Sequence, residues 1–294
     1  MKLGIAQLLP TRLAEIDAAT IRRAREMGFA GAAFFVVDPP QAISTERAQG
    51  IGRMFADEGV ELVEYGQYLT TLVHPDAGVR QANLETLRAA CHVARHFGCP
   101  AVITGAGSLA PNNQWAPHPD NRRPETIDRL VGSLREAVKG AEQEGVILAL
   151  ECHVVTPLYD VETTRDVLDA VGSPALKVHL DPVNWMTFDT VYDNGPAIAE
   201  MFATLGPDRI YGAHSKGVAV GEELIVHLSE TYTGAPEDLI DHATILRELA
   251  KLPGDPYLVI EHLTVEQMPG ARDHLRRIAS EIGVPMQEAA ERGA

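Results

Sequence analysis

Several absences narrow this sequence before its contents are read. Cysteine is scarce, with Cys91, Cys99 and Cys152 the only three in 294 residues. So low and odd a count builds no disulfide framework. Cys91 in a helical run and Cys152 after a strand end read as packing residues. No apolar run reaches the roughly 18 residues that a membrane span needs. The opening MKLGIAQ runs straight into a strand-like segment, with no cationic stretch leading an apolar one. These features predict a cytoplasmic protein with no membrane partner. Cations are also short: 25 Lys and Arg stand against 41 Asp and Glu, for a net charge of −16. A surface of that sign repels phosphate backbones, so nucleic acid is not an expected partner. By itself the charge says only that the surface is soluble.

No linker or low-complexity tract interrupts the chain. Its length and 45% hydrophobic content suffice for one large core. Strand-like segments fall at 2–7, 31–37, 60–65, 101–104, 146–151, 176–181, 209–214 and 257–261. Between them lie helical patterns. Ile16, Ala19, Ile21 and Ala24 share a face over 14–27, and Leu84, Leu87, Cys91 and Ala94 do so over 79–97. Further helices are predicted from Ser44, a cap, to Glu58, and from Pro124 to about Gly145. Others follow at 161–171, 196–205, 237–250 and 269–282. Gly28, Gly59 and Gly98 stand where helices must stop.

Eight alternating β and α units imply a parallel sheet with right-handed crossovers. At about 37 residues per unit they suit a closed (β/α)₈ TIM barrel of class α/β. A doubly wound open sheet is the alternative. It would place a Gly-rich phosphate turn after the first strand, and LLPTRLAE stands there instead. GAGSLAP, after the fourth strand, lacks the spacing of that turn and reads as a loop. The expected organisation is a single domain over 1–294, with 285–294 a frayed tail.

Four successive strands end on metal-binding residue types. VILALEC reaches Glu151, KVHLDPVN reaches Asp181, RIYGAHS reaches His214 and YLVIEHL reaches Glu261. In a barrel of this kind the site lies at the carboxyl ends of the strands. One strand-end acid is as readily a helix cap or a surface partner. Four in a row point to a shared centre. Three carboxylates converging without a cation would repel one another, and a divalent ion removes the conflict. A shell of mostly oxygen donors suits Mn²⁺ first, with Mg²⁺, Co²⁺ or Zn²⁺ as alternatives.

Around these ends stand candidate substrate groups. His153, two residues past Glu151, is a candidate further base. His179, two before Asp181, should point into the barrel mouth. Asn184 and Lys216 are placed to hydrogen-bond hydroxyls, and His227 and Glu230 share the long loop after the seventh strand. Trp115 and His118 lie in the loop after the fourth, where an aromatic can cover the apolar face of a ligand. His92 and His96 fall on a helix and read as surface residues.

The stretches LALECH, VHLDPVNW, YGAHSKG and LVIEHL resemble those of the xylose isomerase-like TIM barrels, and the resemblance spans nearly the whole chain. That group holds sugar isomerases and epimerases together with inosose dehydratase and endonuclease IV. In its ketose 3-epimerase branch the ligands are a Glu, an Asp, a His and a Glu. They carry over to Glu151, Asp181, His214 and Glu261, and the resemblance gives Glu151 and Glu261 the acid/base roles as well. Two departures stand out. Asn184 replaces a His of the epimerases, and the loop after His214 offers Lys216 and no Arg. The acidic chain also lacks the basic surface of a nucleic-acid enzyme. The implied activity is a metal-dependent isomerase or epimerase of a sugar or polyol, in carbohydrate metabolism. The alternatives are a lyase or dehydratase of a keto-inositol or keto-sugar, including keto-glycoside cleavage, and a sugar-binding barrel without turnover. The family also implies a homo-oligomer.

Overall fold

Apolar strands without polar alternation need cover on both faces, and a closed parallel sheet inside a ring of helices supplies it. A computed structural model has this form and describes residues 1–68, 71–111 and 113–287. The strands are β1 (Lys2–Ile5), β2 (Gly31–Phe35), β3 (Glu61–Gly66), β4 (Ala101–Gly105), β5 (Ile147–Glu151), β6 (Leu176–Leu180), β7 (Ile210–Ser215) and β10 (Tyr257–Ile260). They close in the order β1-β10-β7-β6-β5-β4-β3-β2, and every neighbouring pair is parallel. Outside them run α1 (Ala18–Glu26), α2 (Thr45–Glu58), α3 (Ala77–Phe97), α4 (Pro124–Glu144), α5 (Val161–Val171), α6 (Gly195–Leu205), α7 (His242–Leu249) and α8 (Met268–Ile282). No described helix is long and apolar enough to cross a membrane.

Local chemistry sets the helix ends as the sequence predicts. The Ser44 hydroxyl accepts from the Arg47 N–H, and α2 stops at Gly59 in the left-handed region with φ of 67°. Between helices and sheet, Phe34 meets Phe97 edge-on at 5.1 Å, and Tyr65 meets Phe97 at 5.5 Å. Each fully buried aromatic or aliphatic group of this layer stabilises the fold by about 1.5–3 kcal/mol. The three cysteines are buried and free.

Two expectations change. The stretch after β7, read as a loop, contains an antiparallel hairpin of β8 (Gly217–Val220) and β9 (Leu228–Thr231). Helix α7 begins at His242 rather than at 237. The Asp238 carboxylate instead accepts from the backbone N–H groups of Val218, Gly234 and Ile240, and Asp241 caps the helix. Of the expected tail, Gln287 is tied down by its N–H to the Met1 carbonyl and by its side chain to Asp255, while 288–294 lie outside the described residues.

Two register shifts shape the barrel interior. The β2–β3 pairing skips Val63, and the β6–β7 pairing skips Tyr211. Bulges of this kind re-aim side chains. Val63 packs inside with Ala6, Ala33 and Val259, and Glu64 next to it also faces inward, onto His179 and His214. The two irregular points are joined, because the Tyr211 hydroxyl donates to the Val63 carbonyl at 2.7 Å.

Candidate metal centre and cavity

The closed order of strands brings Glu151, Asp181, His214 and Glu261 together, with one ligand-type atom of each lying within 4.8 Å of all the others. His214 Nδ1 stands 3.5 Å from Glu261 Oε1 and 3.9 Å from Glu151 Oε2. All four residues are buried. The donor set fits a divalent ion on its own terms. Asp181 Oδ2, Glu261 Oε1 and His214 Nδ1 are shut from water, and none has an aligned hydrogen-bond partner among the described residues. Buried polar atoms without aligned hydrogen bonds are costly, and the residues that carry these three converge at the strand ends.

The chain supplies its own cation at the same place. Lys216 is buried, and its Nζ lies 2.9 Å from Asp181 Oδ2, 2.6 Å from Glu230 Oε1 and 3.5 Å from Glu261 Oε1. Burial alone would discharge this amine, but Asp181 and Glu261 beside it hold it charged, well above its ordinary pKa. Burial likewise opposes charge on His214, yet Glu261 and Glu64 raise the imidazole to about 10. Burial keeps Glu261 above the usual carboxylate range despite His214 and Lys216. Asp181, which burial also pushes up, ends below its usual value because of Lys216.

Glu151 is held on both oxygens. Tyr68 OH donates to Oε2 at 2.6 Å and Asn184 Nδ2 donates to Oε1 at 2.8 Å, while Lys216 donates to Asn184 Oδ1 at 2.9 Å. Burial and then Glu151 push the Tyr68 phenol well up, so it remains a donor. Asn184 therefore uses both ends of its amide on protein partners.

A cavity of about 510 Å³ opens above these groups, lined by the aromatic Phe35, Tyr68 and Trp115 and by the polar His153, Lys216, Glu230 and His262. Gly105 makes room for Trp115, since a Cβ there would lie 2.7 Å from the indole ring. The His153 ring lies 6.2 Å from that of Trp115, its Nδ1 accepts from the Val155 N–H, and burial and then Lys216 keep it neutral.

Of the residues expected at the site, Trp115, His153, Asn184 and Lys216 line this cavity beside Glu151 and Glu261. Three do not. His179 is fully buried beneath the four strand ends, with Nε2 3.1 Å from Glu64 Oε1, because an inward residue two positions before Asp181 sits one layer deeper. His118 accepts from the Asp120 N–H in its own turn and does not reach the cavity. His227 is exposed near the hairpin tip, 3.5 Å from Glu223, also away from it.

Other groups went unnoticed in the sequence. Tyr68 and Phe35 carry no local motif. His262 directly follows Glu261, and its Nδ1 bonds Glu230 Oε2 at 2.7 Å. That bond, ahead of the contact with Lys216, holds Glu230 down to about 2. Among the described residues, Gln7 and His262 are the non-glycine residues with positive φ, at 60° and 57°. They join at the site, where Gln7 Oε1 accepts the His262 N–H at 2.8 Å. Strain of this kind collects at functional sites. Glu64 did leave a trace, as a lone acid inside an apolar strand.

Comparison with known proteins agrees with the fold. Residues 21–281 match the family described as xylose isomerase-like TIM barrel. The chain belongs to that family. Among solved structures it is similar to a xylose isomerase-like TIM barrel protein from Mycobacterium smegmatis in complex with magnesium, at 18% identity and a TM-score of 0.71, covering 97% of this chain and 98% of that one. It is also similar to a D-psicose 3-epimerase determined in the presence of D-fructose, at 16% identity and a TM-score of 0.71, covering 96% of this chain and all (100%) of that one. A third is a probable 3-DHS dehydratase involved in petrobactin synthesis from Bacillus anthracis, at 17% identity and a TM-score of 0.70, covering 95% and 99%. At these identities the likeness establishes a shared fold. No curated protein matches the sequence significantly.

Proposed function

We propose that the chain is a divalent-metal-dependent isomerase or epimerase of a sugar or related polyol. The observation that carries this is the trio Asp181 Oδ2, Glu261 Oε1 and His214 Nδ1, buried without an aligned hydrogen bond among the described residues and gathered with Glu151 beneath a cavity of about 510 Å³. Glu151, Asp181, His214 and Glu261 would hold the ion, with Mn²⁺ as our choice over Mg²⁺, Co²⁺ or Zn²⁺. Bound there, a divalent ion supplies stabilisation for negative charge developing on a carbonyl oxygen.

The chain's own groups do the rest. Glu261, raised by burial, is suited to take a proton from the carbon next to a carbonyl. Glu151, fixed by Tyr68 and Asn184, is suited to hand one back from its own side of the cavity. Return to the same carbon from the other face is epimerisation, and return next door is isomerisation. Trp115, Tyr68 and Phe35 cover the apolar face of the ring and exclude water. The Lys216 ammonium spends its three N–H groups on Asp181, Asn184 and Glu230, so it would donate to a substrate hydroxyl by releasing Glu230.

His153 favours a second reading, a lyase. It lines the cavity with Nε2 uncommitted to any described partner, so it could protonate a leaving hydroxyl or glycosyl oxygen. Incubation with a ketose, inosose and keto-glycoside panel in D₂O, followed by removal of the metal and NMR, separates the readings. Deuterium at one carbon with no loss of water supports the first. A dehydrated or cleaved product replaces it with the second. Inertness across the panel, with no deuterium uptake, sinks both.

A further inference from the structure

Beneath the four strand-end groups lies a second buried cluster, in which Glu64 and His179, unused by the chemistry above, meet His214 from below. All three are inaccessible to solvent. The two rings stack edge-on at 4.2 Å, and the carboxylate lies between their Nε2 atoms, 3.1 Å from His179 and 3.3 Å from His214. A carboxylate in such a place is expensive unless it has partners. The register shift at Val63 turns it inward rather than letting it face the helices.

The two nitrogens of His214 thus face different neighbours. Nε2 faces Glu64, and Nδ1 faces Glu261 and Glu151. A carboxylate can only accept, so a nitrogen whose partner stays a carboxylate carries the proton and donates. An ion held by Glu151, Asp181 and Glu261 would take those carboxylates away from Nδ1, leaving its lone pair for the ion and the ring proton on Nε2 with Glu64. We propose that Glu64, backed by His179, is the positioning residue of His214, fixing its tautomer and ring plane so that Nδ1 is presented to the ion. The inference rests on the metal-dependent reading given above. Carboxylates that orient ligating imidazoles in this way typically matter 10- to 100-fold to affinity.

Two readouts test it besides turnover. In protein labelled with ¹⁵N-histidine and loaded with Zn²⁺, long-range proton–nitrogen correlation should show His214 protonated at Nε2. Protonation at Nδ1 overturns the proposal. E64Q should bind Mn²⁺ roughly 10- to 100-fold more weakly, since its amide N–H groups compete for the same donor position. E64D should recover part of that loss. Wild-type affinity in E64Q, with binding abolished in D181N, overturns this proposal alone. Wild-type protein that takes up no divalent ion overturns the metal reading as well. Two ions per chain, the second lost in E64Q, would make the cluster a ligand set and overturn its positioning role. If E64Q does not fold, the tautomer in the wild-type protein decides the matter.

Discussion

Two layers of the same barrel interior obey opposite rules. In one, Ala101, Ile103 and Ala149 pack with Ile147 and Tyr211, apolar groups whose burial is its own driving force. In the layer at the carboxyl ends, Glu151, Asp181, His214, Lys216 and Glu261 are just as buried and carry charge. Burying charges gains nothing unless they are paired, and three of their atoms lack even an aligned hydrogen bond. The contrast teaches that the first layer holds the barrel shut, whereas the second gathers buried ionisable groups that a packing role does not explain.

The sharpest way to break this comparison is E261Q. Loss of a general acid or base costs about 10²- to 10⁴-fold in turnover, while thermal unfolding of the variant should stay near that of wild type. Turnover within a few-fold of wild type would remove the chemical role of the upper layer. The mirror experiment is I103A, which should lower stability by about 2–5 kcal/mol in denaturant titration. Its Mn²⁺ affinity per folded molecule should not change, and a parallel loss would mean that the two layers are not separable.

Ion binding sharpens the contrast further. At 100 times its dissociation constant, Mn²⁺ should stabilise the wild type by about 2.7 kcal/mol, seen as a rise in Tm reversed by EDTA. D181N should be indifferent to the ion, and an equal rise in both would move binding elsewhere.

A smaller effect is expected at Asp238, a buried acid away from the cavity. Burial pushes this carboxyl up, but the His242 imidazole, bonded at 2.7 Å, and the N–H groups of Gly234 and Ile240 hold it below its ordinary value. A lowered folded pKa contributes stability that is present above the unfolded value of 3.8 and is lost as pH falls through the folded one. D238N should therefore cost about 1–3 kcal/mol at neutral pH, and its disadvantage should shrink below about pH 4. A gap from wild type that is constant down to pH 2 would exclude a role for that ionisation.

Much of this was legible from local patterns. Alternating apolar runs and capped helices announced the barrel, and acids at strand ends announced the centre. What stayed hidden had tertiary causes. His179 and Asp181 share a strand face, yet depth in the barrel gives the imidazole to Glu64 and the carboxylate to Lys216. Glu230 reaches Lys216 only because an unforeseen hairpin folds over the mouth. His227, from the same stretch, ends up in solvent.

By itself the sequence determined the number of βα units, their closure as a parallel sheet and the residue types that end the strands, because periodicity and strand termini are local properties. Only the tertiary structure decided that Glu64 faces inward. Strict alternation puts it on the helix side with Leu62, and the slipped register at Val63 reverses that. Register is a relation between two strands far apart in the chain, and neither strand carries it alone.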